Sequence, residues 1–600
     1  MVTTVFRDGD LSREEQQTVS QGFERHSDEV GAPAYAKRRV CWMSHDDDGA
    51  LVGALTADVL WDWAYIDELW VRQDQRRHGL GGALMAQVER YASDRGLAGV
   101  WLWTQSWQAA SFYARLGYQR FAHFPHFPKG HERIGFRKLL RPTTTDADLL
   151  RDAAERGIRY VDGIRRRPVR PTTEAVATLR ADVGGDMPMA GRPAADVLRT
   201  LDELGSPATV ASTGDRYFGY VVGGAHPVTI AAQWLATAWD QNAALVDMSP
   251  AAAHFDDVAT RWLAQVLRLP DGVAGGLVTG ATAGNVVALA AARGHLLARA
   301  GWDAENDGLF GAPPLRVVVS EEVHDSVRKA LAVTGLGARR VETVPTDGQG
   351  RLRADRLPPL DERTIVCVQA GHVHSGAIDP VHEVVARARE VKAWVHVDGA
   401  FGLWARASDR FAAHTAGLEQ ADSWSVDAHK WLNVPYDTGA VFTTHDAAIR
   451  RAMAVWEPLR CPARQPAAYT VEQSRRARGV EVFAALAHLG REGVARAVAA
   501  SCRLARRLAD QLRAGGLTVC NDVVLNQVVV WAGSDEATSR LGRALTGDGT
   551  VGCTVGAWQG RVVLGLSVSS WRTDGEAIDC AAEVILRTHG RTARPPSPPA

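Results

Sequence analysis

The chain has 600 residues, 46% hydrophobic and 23% charged, with 68 Lys and Arg against 69 Asp and Glu. Such a length exceeds one hydrophobic core and predicts several domains, and the charge balance gives no electrostatic case for a nucleic acid or an acidic membrane as partner. The seven cysteines are scattered and never spaced as CxxC, as expected of a reduced cytoplasmic protein without a metal site. In chain order, residues 1–10 (MVTTVFRDGD) lack a basic segment followed by an apolar stretch, so no signal peptide is predicted. No apolar run of about 18 residues follows, and no membrane span is predicted.

Residues 65–71 (YIDELWV) read as a strand, followed by RQDQRRHGLGG at 72–82 and a helix with Leu84, Val88 and Tyr91 on one face. A strand, a glycine turn and a helix start aim free backbone N–H groups at one point, where the helix dipole favours an anion. Gly79, Gly81 and Gly82 would let the backbone approach a pyrophosphate. On this segment alone, an ordinary βα turn remains open.

The neighbouring residues narrow the reading. RRHGLG at 76–81 resembles the (Q/R)xxGx(G/A) signature of GNAT N-acetyltransferases, and AASFYARLGY at 109–118 resembles the helix that follows the next strand in that family. FPKGH at 127–131 resembles the end of one GNAT subgroup. The resemblance covers about residues 1–140 and implies acetyl-CoA as cosubstrate, bound by Val71, Arg76, Arg77, His78, Gly79, Leu80, Gly81 and Gly82. It also implies Tyr113 as the acid for the departing thiolate and Glu68, or Asp67, as a base acting through water. Packing roles for Tyr113 and the two carboxylates remain open.

A domain boundary is expected at RPTTT, residues 141–145, closing a first domain of residues 1–141. Residues 142–205 are expected to be a linker and an amphipathic helical segment, with a solvated basic run at 165–167. From 206 to 450, short β-branched runs alternate with alanine-rich helical stretches, the pattern of a mostly parallel α/β sheet. A loop and a small α+β domain are expected over 451–587, with strands at 523–531 and 562–569, and a disordered tail over 588–600.

Four pieces of the large domain share one chemistry. Residues 275–285 (GGLVTGATAGN) run into an alanine-rich helix, where small residues and hydroxyls at a helix start make a phosphate cradle. Residues 317–327 (VVVSEEVHDSV) are a buried strand followed by His324, whose imidazole could stack on a flat ring. AWVHVDGAFG at 393–402 alternates so that Asp398 ends a strand, at the ligand edge of an open parallel sheet. A carboxylate about 4 Å from a pyridinium nitrogen, at an effective dielectric near 20, contributes roughly 4 kcal/mol, or about three pKa units. DAHKW at 427–431 then supplies Lys430, an amine able to hold an aldehyde.

Together with GHVHSGAIDP at 371–380 and SWSVDAHKWLNVPYDTG at 423–439, these pieces resemble the group II pyridoxal phosphate (PLP) dependent amino acid decarboxylases, of aspartate aminotransferase fold type I. The resemblance spans about residues 206–585. It implies PLP as cofactor, Lys430 as the Schiff-base lysine, Asp398 on the ring nitrogen, His324 stacked on the ring and Ala400 beneath it, with Ala281, Thr282 and His429 near the phosphate. It also implies a homodimer, and a substrate-side segment containing Tyr217, Phe218, Gly219 and Tyr220.

Three departures stand out. His372 and His374 occupy positions where Asn or Thr is expected, Gly565 stands where many relatives have Arg, and Tyr469 is the only tyrosine of the short 451–470 segment. The whole is read as an α/β protein, a GNAT domain followed by a PLP enzyme, acting on small-molecule amino acid and amine substrates. Decarboxylation leads, with N-acetylation of an amine that could be its product. Transamination, aldol cleavage or another lyase reaction, and a GNAT domain that only binds acetyl-CoA, are the alternatives.

Overall fold

The computed structural model describes residues 4–31, 36–140, 145–189, 191–454 and 464–593. The chain forms two compact units, Met1–Gly157 with Gly191–Arg199, and Ile158–Ala190 with Thr200–Ala600. The expected boundary at 141–145 thus precedes the observed division, which falls inside the helix Asp146–Gly163. Among the described residues no helix is long and apolar enough to cross a membrane.

The first unit holds a six-stranded sheet in the order Lys37–His45, Leu51–Leu60, Trp63–Val71, Gly99–Gln105, Glu132–Leu139, Gln119–Pro125. Only the pair Trp63–Val71 and Gly99–Gln105 is parallel. The helix Leu80–Asp94 buries Leu84, Met85, Val88 and Ala92, which pack with Leu55, Ile66, Leu102 and Phe136. This is the 3.6-residue stripe expected of a helix on a sheet.

The second unit is built on a seven-stranded sheet in the order Ala274–Val278, Gly439–Thr443, Ser423–Asp427, Trp394–Asp398, Thr364–Gln369, Arg316–Ser320, Glu342–Val344. All strands are parallel except Gly439–Thr443, which runs against both neighbours. Successive residues feed two apolar layers: Val395, Val397, Trp424 and Val426 enter one, and Val317, Val319, Ile365 and Trp394 the other. Burial on both faces suits a parallel sheet.

Two central strands nevertheless carry polar residues on one face, His396 and Asp398 on one and Ser423, Ser425 and Asp427 on its neighbour, all buried. The helix Ala281–Arg299 packs over this face and supplies the polar partner, Asn285.

A four-stranded antiparallel sheet, ordered Thr518–Val519, Gln527–Trp531, Arg561–Ser567, Thr554–Trp558, forms the small C-terminal part. Its core joins the end of the long helix Arg478–Ala514 to Leu541, Leu545, Ile578 and Ile585. The strand expected over 523–531 begins only at Gln527. The expected tail is also shorter: the helix Gly575–Ala593 carries residues 588–593, with Thr588 fully buried. Residues 594–600 lie outside the described residues.

Candidate active sites

The parallel strands of the large sheet end at one edge, and a cavity of about 440 Å³ opens there. Its lining includes Ala281, Thr282, His324, Asp398, Ala400, His429 and Lys430, the whole set expected for PLP. The residues come from the starts of two helices and the ends of two strands, as the rule for open α/β sheets requires.

Asp398 ends its strand and is only 5% exposed. Its carboxylate accepts hydrogen bonds from Asn285 Nδ2 at 3.0 Å, Ser326 Oγ at 3.1 Å and the Ala400 amide at 3.2 Å. Asn285 is fixed in turn: its Oδ1 lies 2.9 Å from His396 Nε2 and accepts from Ser425 Oγ at 2.6 Å. Burial pushes the His396 imidazole below its usual pKa, so the network behind the carboxylate stays neutral near pH 7. A buried carboxylate held by neutral donors favours a cation in front of it, and the cavity lies on that side.

Lys430 Nζ is 3.1 Å from Asp427 Oδ2. His429 Nδ1 accepts from the Thr438 amide at 3.2 Å, and its Nε2 is 3.6 Å from Asp427 Oδ1. Burial lowers the His429 pKa, Asp427 opposes that shift, and Lys430 adds to it. His324 caps the helix Asp325–Val333, with Nδ1 2.8 Å from Ser326 Oγ, and its ring is exposed at the cavity. These residues fit PLP: an amine, an unpaired buried carboxylate, an available flat ring and a helix start share one cavity. A larger cleft of about 630 Å³ is lined by Asp257, Arg261, Arg268, Arg464 and Arg491. Its arginines are already engaged by Asp257, Asp409, Asp256 and Gln265, so it offers no comparable chemistry.

Residues 186–533, more than half of the chain, match the family model described as the pyridoxal-dependent decarboxylase conserved domain. The chain belongs to this family. Residues 10–118 match the acetyltransferase (GNAT) family model.

Among curated relatives of this decarboxylase-family chain, tryptophan decarboxylase 1 of Oryza sativa subsp. japonica is 27% identical over 304 residues, 47% of this chain and 58% of the relative. L-2,4-diaminobutyrate decarboxylase of Rhizobium meliloti (strain 1021) is 32% identical over 263 residues, 41% of this chain and 49% of the relative. The chain therefore spans about half to three fifths of the curated relatives' length. Among solved structures, Oryza sativa TDC with PLP and tryptamine superposes with a TM-score of 0.69 at 23% identity, covering 76% of this chain and all of that one. Mouse CSAD gives 0.66 at 18%, covering 74% and 98%. At these identities the likeness establishes the fold.

Several cavity residues were not singled out from the sequence. Ser326, Gln369, Val373, Phe401, Asp427 and Tyr436 line it, while Asn285 supports Asp398 from outside. Tyr436 had a signal, since it lies in the same stretch as Lys430, and its ring is 4.4 Å from that of His429. Of the substrate-side segment, Tyr220 reaches the cavity, whereas Phe218 is buried in the small-domain core. Tyr469 is buried and donates to Asp446 at 3.0 Å, away from the cavity; residues 455–463 of that segment lie outside the described residues. Buried His372 places Nε2 3.0 Å from Glu322, and His374 stacks on Trp558. Gly565 pairs with Val529 and Thr554 in the small sheet.

In the GNAT domain the parallel ladder stops at Ile66 and Leu102, although both strands continue, to Val71 and Gln105. The strands part beyond that point. Asp67 and Glu68 stand just past it: Asp67 pairs with Arg39 at 2.7 Å, and largely exposed Glu68 accepts from Thr56 Oγ1 at 3.0 Å. Gly79 has a left-handed φ of 88°, which glycine adopts without a Cβ penalty. It precedes the helix Leu80–Asp94, whose first turn has no side-chain cap and contains Gly81 and Gly82. Arg76 Nε donates to the Val71 carbonyl at 3.0 Å, and Arg77 also has positive φ. His78 is exposed. Tyr113 is 7% exposed, packed against Phe112, Tyr118 and Phe136, and burial pushes its phenol up to about 12.

Proposed function

We propose that the chain is a bifunctional enzyme: its large domain removes CO₂ from an L-amino acid with PLP, and its GNAT domain transfers an acetyl group from acetyl-CoA to an amine. The observation carrying the first half is the meeting of Lys430, Asp398, His324 and the helix start at Ala281 and Thr282 in one cavity. Bound there, PLP supplies an electron sink for the pair left when a substrate Cα bond breaks. Lys430 would hold the cofactor's aldehyde carbon and, once displaced by substrate, is an amine able to carry a proton. Asp398, fixed by Asn285 and Ser326, would hold a proton on the ring nitrogen. His324 would cover one ring face and Ala400 the other. The Ala281 and Thr282 amides and His429 would receive the phosphate.

The side-chain pocket has Tyr220, Val221, Val222, Val373 and Phe401 in its walls, and the carboxylates in its lining are Asp398 and Asp427. Asp398 is assigned to the ring nitrogen and Asp427 is paired with Lys430, so the walls favour an uncharged, apolar side chain over a second amine. This agrees with the relatives whose names carry tryptophan or tyrosine rather than diaminobutyrate.

For acetyl transfer, the parted strands and the uncapped glycine-containing helix start support binding of a pyrophosphate. Glu68 would take a proton from the acceptor ammonium through water. Tyr113, whose burial keeps the phenol protonated at neutral pH, would return one to the thiolate. Decarboxylation leaves the free amine that acetylation consumes. We also expect a cytoplasmic homodimer, checked by fractionation and by light scattering. The chemistry is tested by incubating the purified chain with PLP, acetyl-CoA and an amino acid panel, with mass spectrometry of products. Release of CO₂ and appearance of an N-acetylated amine are expected. A keto acid, or an aldehyde from a β-hydroxy amino acid, in place of CO₂ would overturn the decarboxylase half, and free amine left unacetylated would overturn the other.

A further inference from the structure

The helix Ala281–Arg299 begins without a side-chain cap from its own N-cap residue, Gly280, and without an acidic residue in its first turn. Its first amide is nevertheless taken. Asp427, 146 residues further along the chain, accepts a hydrogen bond from the Ala281 amide on Oδ1 at 2.6 Å. Its other oxygen, Oδ2, lies 3.1 Å from Lys430 Nζ. The carboxylate is 4% exposed and lines the cavity. One buried anion therefore engages both groups that, in the reading proposed above, the cofactor needs: the helix start for its phosphate and the lysine for its aldehyde.

The helix start and the strand end set this arrangement. Asp427 is the last residue of Ser423–Asp427 and points to the same face as Ser423 and Ser425, over which the helix lies. A helix N-terminus attracts any anion, a carboxylate as well as a phosphate, and two anions a few ångström apart in a buried cavity repel.

We propose that Asp427 competes with the phosphate of PLP for the start of this helix, so that the phosphate seats only when the Asp427 carboxylate leaves the Ala281 amide. This rests on the PLP reading of the cavity. Asp427→Asn keeps the size of the side chain and an oxygen for the Ala281 amide, and replaces the charge by an N–H group that a phosphate can accept from. Losing the carboxylate also frees Lys430 from its ion pair, which changes aldehyde attachment for PLP and for pyridoxal alike. The ratio of the two affinities therefore isolates the phosphate.

The test measures binding of PLP and of pyridoxal to the full-length apoprotein, wild type and Asp427→Asn, by absorbance and equilibrium dialysis. The expected result is a PLP-to-pyridoxal affinity ratio higher in the variant by roughly tenfold or more. Inorganic phosphate alone should also bind the variant more tightly, measured directly by equilibrium dialysis. Asp427→Ser, smaller and equally uncharged, should move the ratio the same way, and thermal unfolding of each apoprotein establishes that it is folded. An unchanged ratio in two folded variants overturns the competition. A lower ratio overturns it too, and makes Asp427 a phosphate partner. Failure of the wild type to bind either aldehyde defeats the PLP reading itself, a separate outcome visible before any variant is compared.

Discussion

Asp398→Asn removes the charge opposite the ring nitrogen while nearly preserving shape. The carboxylate receives hydrogen bonds from Asn285 at 3.0 Å, Ser326 at 3.1 Å and the Ala400 amide at 3.2 Å, and is almost fully enclosed. For a ring nitrogen about 4 Å away at an effective dielectric near 20, the lost attraction is roughly 4 kcal/mol. That lowers the nitrogen's pKa by about three units and, if carried fully into the barrier, the rate of CO₂ release by about a thousandfold. Ser326→Ala keeps the charge and removes one hydrogen bond to it, about 1.5–3 kcal/mol, so its loss should be roughly ten- to a hundredfold. The assay is CO₂ release at saturating PLP, with bound cofactor measured by absorbance in the same samples. Asp398→Asn retaining bound PLP and more than a tenth of wild-type turnover would refute the assignment.

Other expectations follow from the same geometry. A Cβ on Gly223 would lie 1.9 Å from the Lys430 carbonyl oxygen, so Gly223→Ala should destabilise the fold by about 1–3 kcal/mol and weaken PLP retention; unchanged unfolding and cofactor content would contradict this. Burial pushes His226 and His374 down to about 4. Between their unfolded value near 6.5 and pH 4 the unfolded chain binds the extra protons, so their contribution is present above about 6.5 and lost as pH falls toward 4. Buried Asp379, pushed up to about 6, works in the opposite direction below that pH. His396 and His429, also lowered by burial, act in the same direction as these two histidines, so urea unfolding should be easier at pH 4.5 than at 7.5, and equal midpoints would contradict the sign. Tyr113→Phe should lower kcat for acetyl transfer roughly a hundredfold or more with little effect on CO₂ release; unchanged acetylation would leave Tyr113 as a packing residue.

The ligand edge of the large sheet was legible because its signals are local. Residues 394–398 alternate, end in Asp398 and form the strand Trp394–Asp398. The helix after Gly280 follows directly from its run of alanines. What escaped the sequence is long-range. Asn285 meets Asp398, His396 and Ser425 only because the helix crosses two strands far along the chain. Asp427 caps a helix that starts 146 residues before it, and nothing within 423–431 announces that. The end of the small domain failed for another reason. Polar and proline-rich residues near the C-terminus gave the tail its composition, yet Thr588 is buried on a helix whose apolar partners come from elsewhere in the fold.

Everything proposed for the large domain depends on PLP attaching to Lys430. Borohydride reduction of the PLP-saturated protein, followed by proteolysis and peptide mass spectrometry, addresses it most directly. The expected result is a pyridoxyl phosphate adduct on the peptide containing Lys430, and loss of both adduct and absorbance band in Lys430→Ala. An adduct on a different lysine, or an identical band in Lys430→Ala, would contradict it.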